Sequence, residues 1–223
     1  MEIIEAVKSR KSIRGFKAEP VTEEVLTGLL DAAHYAPSGF NGQSWEFVVL
    51  TGEVLEAVRK GNQDLFDQGM KPEYYMGTAT PTGKYRERQV EMVQELYKLL
   101  GIPREDEAKR RSWNRRNVAF HNAPAAIIVC ADKETSEFRS IFEAGLVAQN
   151  IALAALHFGL GTCLMMAPTY YPEVLRRVAK IPESKRVFIA IAVGYPDPDF
   201  PGNQLRRMRV PVSDLITWRS KVE

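Results

Sequence analysis

The chain of 223 residues holds only 2 cysteines, Cys130 and Cys163, each inside an apolar run. Two thiols that far apart make neither a disulfide framework nor a zinc site, and they suit inert, buried thiols in a reducing cytosol. An excess of one charge is also missing. The 30 basic and 28 acidic residues leave a formal +2, so there is no global case for a nucleic-acid partner. The longest apolar stretches carry polar breaks and are too short for a bilayer span. The segment Met1 to Lys11 is charged, with no apolar leader core. A cytoplasmic protein without membrane attachment is expected. Neither a nucleophile elbow nor a metal-binding pattern occurs, so no metal and no protein nucleophile is indicated. No internal repeat or low-complexity stretch is visible.

What is present is ordinary globular material: 45% hydrophobic and 26% charged residues, enough for one domain with a sizeable core. Ile3, Ile4 and Val7 suggest a short first helix. Thr22 opens a second, capped by its hydroxyl and favoured by Glu23 and Glu24, with an apolar face from Val25 to Ala33. Pro37-Ser38-Gly39 stops it, and Trp45 to Leu50 is a strand. From about Gly61 to Asn117 the composition turns polar and basic, with helices predicted over Tyr85 to Leu100 and Arg104 to Asn117. This stretch, 60–118, is an excursion from the core of a single domain. The continuous apolar run Ala125 to Ala131 is a buried strand. Ser140 to Phe158 is a long helix ended by Gly159, Thr162 to Met166 a short strand, Tyr171 to Val178 a helix, and Val187 to Val193 a central strand. Interleaved helices and strands mean α+β or α/β.

Three segments carry chemistry. Arg10, Ser12 and Arg14 share one side of an extended segment, with Lys11 between them. Two guanidinium forks and a hydroxyl match a phosphate monoester. A second basic cluster, Arg206-Arg207-Met208-Arg209, lies at the far end of the chain. Taken singly, each cluster is also what a solvated charged face looks like. The third segment is Ala36-Pro37-Ser38-Gly39-Phe40-Asn41-Gly42-Gln43-Ser44-Trp45. As a plain loop it is rich in turn formers. As a site, its backbone and the Asn41 and Gln43 amides offer mixed donors and acceptors to the edge of a heteroaromatic ring. The histidines His34, His121 and His157 are weak proton-donor candidates, each more ordinary as a structural residue.

Here the segments combine. Arg10-Lys11-Ser12-Ile13-Arg14-Gly15-Phe16 resembles the opening Arg-x-Ser-x-Arg-x-Phe of the nitroreductase superfamily. The 36–45 loop resembles its Ala-Pro-Ser-x-x-Asn-x-Gln-Pro-Trp, with Ser44 replacing the proline, a change expected to loosen the turn. Ala148-Gln149-Asn150, then Gly159-Leu160-Gly161-Thr162-Cys163, then Val193-Gly194-Tyr195-Pro196 and the basic tail complete the series in the family's order.

The resemblance implies an α+β fold with a central, mostly antiparallel sheet flanked by helices, in an intertwined homodimer. It implies FMN held non-covalently between the chains and reduced by NADH or NADPH. Hydride passes through flavin N5 to small electron-poor acceptors such as nitroaromatics, in ping-pong order. Carried over, Arg10, Lys11, Ser12, Arg14, Arg207 and Arg209 serve the phosphate and ribityl end. Pro37, Ser38, Gly39, Asn41 and Gln43 of the partner chain, with Gln149, Met166 and Ala167, serve the ring. Lys11 or Arg14 would also steady the reduced ring at its N1–C2 edge. Phe40, Tyr74, Tyr85 and Arg115 are substrate-binding candidates, the tyrosines by stacking and the arginine by pairing with a carboxylate. Sister activities remain open: reductive dehalogenation or deiodination, for which Glu73, Tyr74 and Lys84 supply the residue types of a lid triplet, other flavin chemistry, or flavin binding without efficient turnover.

Overall fold

A computed structural model describes residues 2–75, 77, 81–206 and 208–220. Its centre is β2 (Ala125–Asp132), with seven of its eight residues buried. Such a run, apolar on both faces, can be covered only from both sides. β1 (Trp45–Thr51) and β4 (Lys185–Gly194) pair with it, and β3 (Gly161–Met165) closes the order β1-β2-β4-β3. Every pairing is antiparallel, so the sheet is of the expected kind.

The period-2 alternation of β2 separates two cores. Ile127 and Val129 face α2 (Glu23–Ala33) and α6 (Glu137–Ala154), which contribute Leu26, Leu29, Val147 and Ile151. Ile128 and Cys130 face Leu55 and Val58 of α3 (Gly52–Asp67) and Val174 and Leu175 of α7 (Pro172–Val178). Helices therefore cover both faces of the sheet. Thr22 caps α2 as expected, its hydroxyl accepting from Val25 N at 3.3 Å. The short α1 (Ile3–Ser9) buries none of its residues.

Two features depart from the sequence reading. The polar stretch beginning at Gly61 starts inside α3, where Asn62 is buried and Leu65 and Phe66 pack half-buried against the core. A Cβ on Gly61 would meet Val174 at 2.7 Å, so the glycine sets how closely α3 and α7 approach. Fully buried Asn62 donates to the carbonyls of Val118 and Pro168, each at 3.0 Å, and Arg59 donates to that of Ala123. Asn62 at the start of the polar stretch and Arg59 just before it are thus fasteners to neighbouring loops. Beyond it, α4 (Gly83–Leu99) buries only Leu96, while α5 (Glu107–Val118) packs on α3.

The second departure concerns Glu137–Phe158. Its 22 residues, with an 18-residue window of mean hydropathy 1.4, suffice by length and composition to cross a membrane, whereas the sequence reading put every apolar stretch below that length. In the fold this is a core helix. Its buried positions include Ser140 and Glu143, and it packs on α2 and the sheet.

Candidate functional site

The segment 10–14 runs beside β3. Ser12 bridges to Thr162, and Ile13 N donates to Thr162 O at 2.9 Å. Ile13 turns inward against Gly161, where a Cβ would meet it at 2.5 Å. By alternation Arg10, Ser12 and Arg14 fall on the other side, where Ser12 hydrogen-bonds the Cys163 thiol and both arginines act on it through their charge. Burial raises that thiol, while Arg14, a hydrogen bond with Ser12, and Arg10 pull it back.

The basic tail arrives at the same place. The Arg10 guanidinium is lowered first by burial and next by the charge of Arg209, with Cys163 acting the other way. Arginines from opposite ends of the chain therefore share one locality. Among the described residues, no carboxylate forms a salt bridge with Arg10, Arg14 or Arg209. Crowded cations without a counter-charge are the donor set of an anion site. Arg207 lies outside the described residues.

A residue the sequence reading passed over joins the two segments. The side-chain oxygen of buried Asn203 accepts from Arg14 N at 2.8 Å and Gly15 N at 3.1 Å. Its nitrogen donates to the carbonyls of Gly15 at 2.7 Å and Asp197 at 2.8 Å. Lys11 Nζ donates to the Asn203 carbonyl.

The 36–45 loop has three non-glycine residues in the left-handed region: Phe40 (φ 53°), Asn41 (φ 59°) and Gln43 (φ 45°). Such conformations persist only when the surroundings enforce them. Glu143, 1% exposed on α6, provides the enforcement, accepting from Gly39 N at 2.8 Å and the Ser44 hydroxyl at 2.6 Å. Burial pushes its carboxyl up, but the bonds from Ser44 and Gly39 and the charge of Arg139 hold it below the usual carboxylate value. Gln43 N also donates to the Ser38 hydroxyl at 3.0 Å. Ser44 therefore tethers the turn, against the expectation that it loosens it. An acid in the middle of the mostly apolar α6, past its first turn, was the available signal for Glu143. The result presents Pro37, Gly39, Asn41 and Gln43 outward, with Phe40 99% exposed.

Register separates this loop from the cations. Trp45, at the loop's exit, pairs with Ala131 and so with Arg186. Thr162, beside Ser12, pairs with Val193, then Ala125, then Thr51. Within one chain the two segments sit at opposite ends of the sheet.

Gln149 is exposed on α6, Met166 half-buried and Ala167 buried just past β3. The Met166 carbonyl is taken by Thr169, through its N at 2.9 Å and its hydroxyl at 2.8 Å. The four substrate candidates do not share one hollow. Tyr74 stands edge-on to Tyr170 at 4.8 Å and lines a 250 Å³ hollow with Tyr75 and Arg186. Arg115 lines a different one, of 410 Å³, with Trp113, Arg116 and Phe200. Its Nε donates to Asp67 at 2.8 Å, an acid also paired with Arg111. Tyr85 is exposed on α4 beneath the cations of Lys84 and Arg88, and Phe40 lines neither hollow. Glu73 is bound through its N to the Tyr170 carbonyl. Of the histidines, His121 is buried and stacked on Trp113 at 5.0 Å, lowered to about 3 by burial and the charges of Arg14 and Arg116. It is neutral at physiological pH. No three acid, histidine or cysteine groups stand together as a metal site among the described residues.

Fold and site together define the class, and sequence comparison agrees: the Nitroreductase family model matches residues 7–195, and the chain belongs to that family. It is 31% identical over 219 residues to a nitrobenzene nitroreductase of Ectopseudomonas oleovorans, covering 97% of this chain and 96% of that one. A chloronitrobenzene nitroreductase of Comamonas testosteroni shows the same identity and coverage. Among solved structures, the FMN and NADPH-dependent nitroreductase NfnB from a Sphingopyxis strain superposes with a TM-score of 0.93 at 26% identity, covering 99% of this chain and all of that one.

Proposed function

We propose that this protein is an FMN-dependent oxidoreductase that takes electrons from NADH or NADPH and passes them to small electron-poor acceptors, nitroaromatics foremost. The observation that carries this reading is the meeting of Arg10 and Arg209 beside Ser12 and Arg14, with no described carboxylate to balance them. That donor set fits the phosphate of FMN, and the relatives named nitroreductases fit the chemistry. Once bound, the flavin would supply hydride transfer at N5, so that no protein nucleophile or metal is required. Arg10, Ser12, Arg14 and Arg209, with Arg207 of the same tail, would hold the phosphate. Lys11 and Arg14 would bring positive charge to the cofactor. Backbone around Met166 and Ala167, with Gln149, would line its ring.

The remaining ring contacts would come from a second copy. The loop Pro37 to Gln43 lies at the far end of its own sheet, so its outward amides serve the partner's site. Exposed apolar residues support a homodimer: Ile3, Ile4 and Val7 on α1, and Phe138 and Phe142 on α6 at 88% and 68%. Such a surface is unusual on a monomer. Ping-pong order follows if donor and acceptor use one face of the ring in turn. Tyr74, Tyr85, Phe40 and Arg115 would shape acceptor choice in the assembled dimer.

The test is anaerobic. Purified protein loaded with FMN is mixed with NADH or NADPH, then with a panel of nitroaromatics, quinones, enones and halotyrosines. Bleaching of the yellow colour, recovery on adding nitrobenzene, and parallel double-reciprocal plots are expected. A protein that takes up no FMN overturns the reading. Bleaching that only a halotyrosine reverses redirects it to dehalogenation, and a yellow protein that stays oxidised makes it a binding module.

A further inference from the structure

Asn203 has all four hydrogen-bonding positions of its amide filled, and every partner is backbone of one of two segments. Arg14 N, Gly15 N and Gly15 O belong to the first, Asp197 O to the second. The segments reinforce each other around it. Asp197 N donates to Gly15 O at 3.0 Å, and Lys17 N to Tyr195 O at 2.9 Å. Phe200 sits so tightly over Gly15 that a Cβ there would lie 2.1 Å from its ring. The first segment carries Arg10, Ser12 and Arg14. The second continues from Asn203 to Arg209, whose charge already weighs on Arg10.

Two cationic segments brought together repel each other before any anion arrives. Something neutral must hold them in register, and an amide does so without cancelling the charge that the anion needs. A carboxylate in its place would compete for the guanidiniums. The valences of Asn suit the task, since it accepts twice and donates twice in a pocket where an unpaired backbone group is costly.

We infer that Asn203 is a positioning residue for the phosphate end of the cofactor: it preorganises the two halves of the cationic cradle, and so sets the preference for a phosphorylated flavin over riboflavin. The inference rests on the proposed flavin site and deepens it. Preorganisation acts on affinity by removing the ordering cost at the moment of binding.

The test compares dissociation constants for FMN and riboflavin, by recovery of flavin fluorescence, in the wild-type protein, Asn203→Ala and the milder Asn203→Ser. FMN affinity is expected to fall tenfold or more in Asn203→Ala, with a smaller fall in Asn203→Ser. Riboflavin, which lacks the phosphate, should change less than twofold. A purely architectural role would weaken both flavins alike, so an unchanged FMN-to-riboflavin ratio in a folded variant overturns the inference. Failure of both variants to fold overturns it too, because Asn203 would then serve the fold as a whole. A wild-type protein that binds neither flavin sinks the underlying function instead, before any variant is made.

Discussion

Single residues here carry consequences that cannot be seen from their type. His121 has an ordinary value of 6.5 when unfolded but about 3 in the fold, held down by burial and by Arg14 and Arg116. Between those values the unfolded chain binds a proton that the folded chain refuses. Stability therefore falls as pH drops through that window. The loss between pH 7 and pH 5 should be on the order of 1–2 kcal/mol, and His121→Asn, which tolerates the same left-handed backbone, should remove most of it. Urea titrations at the two pH values check this; equal losses in both proteins would exclude His121 as the cause. Glu143 works in the same direction by a different route. Its carboxyl is held low in the fold, so its contribution is present above the usual carboxylate value and is lost as pH falls through the lower folded one. Ser44→Ala removes the 2.6 Å bond to that buried carboxylate and should cost about 1–3 kcal/mol. Ser44→Pro should cost a similar amount despite restoring the family's residue. A denaturation midpoint unchanged by Ser44→Ala would show the tether to be idle. Burial lifts the Cys130 thiol to about 12 and raises Cys163 as well. Neither should react with iodoacetamide at pH 8 unless the protein is first unfolded, and mass spectrometry of the native protein reads this directly.

At the scale of elements, burial is very unevenly shared. α6 buries seven residues and α4 only Leu96. Amide hydrogens of α4 should therefore exchange with solvent far faster than those of α6, as local opening there breaks few contacts. Equal protection in the two helices would mean that α4 is held by something beyond this chain's own core. The elements most easily read from sequence are those whose pattern answers to a local rule. The apolar run of β2, the Thr22 cap of α2 and the left-handed Gly159 ending the 3-10 turn that follows α6 are each set by burial or backbone chemistry within a few residues. α3 escaped because two of its four buried residues, Arg59 and Asn62, are polar. Their partners, Val118, Ala123 and Pro168, lie 56 to 106 positions away, beyond the reach of any local period. Asn203 escaped for the same reason, as its contacts to Arg14 and Gly15 span 188 positions or more.

For the whole molecule, the separation of the 36–45 loop from the cationic cradle is the decisive arrangement. If one site needs both, two copies must meet. The protein should sediment at about twice its chain mass of 25.2 kDa. Phe142→Glu, placing a charge on the exposed apolar face of α6, should shift it toward monomer and weaken FMN retention together. A monomeric variant that keeps its FMN would show that one chain suffices.

Sequence by itself determined the parts: the strands and most helices, the nitroreductase motifs in their order, and the residue types of the proposed phosphate cradle and ring-edge loop. These are local, since periodicity, capping and turn chemistry act over a few residues. Only the tertiary structure decided that Arg10 and Arg209 share one place, that Asn203 splices their segments, that Ser44 strengthens its turn, and that the loop faces away from its own chain's cations. Those facts depend on strand order and register, which bring distant residues together through cooperative packing rather than through any spacing along the chain.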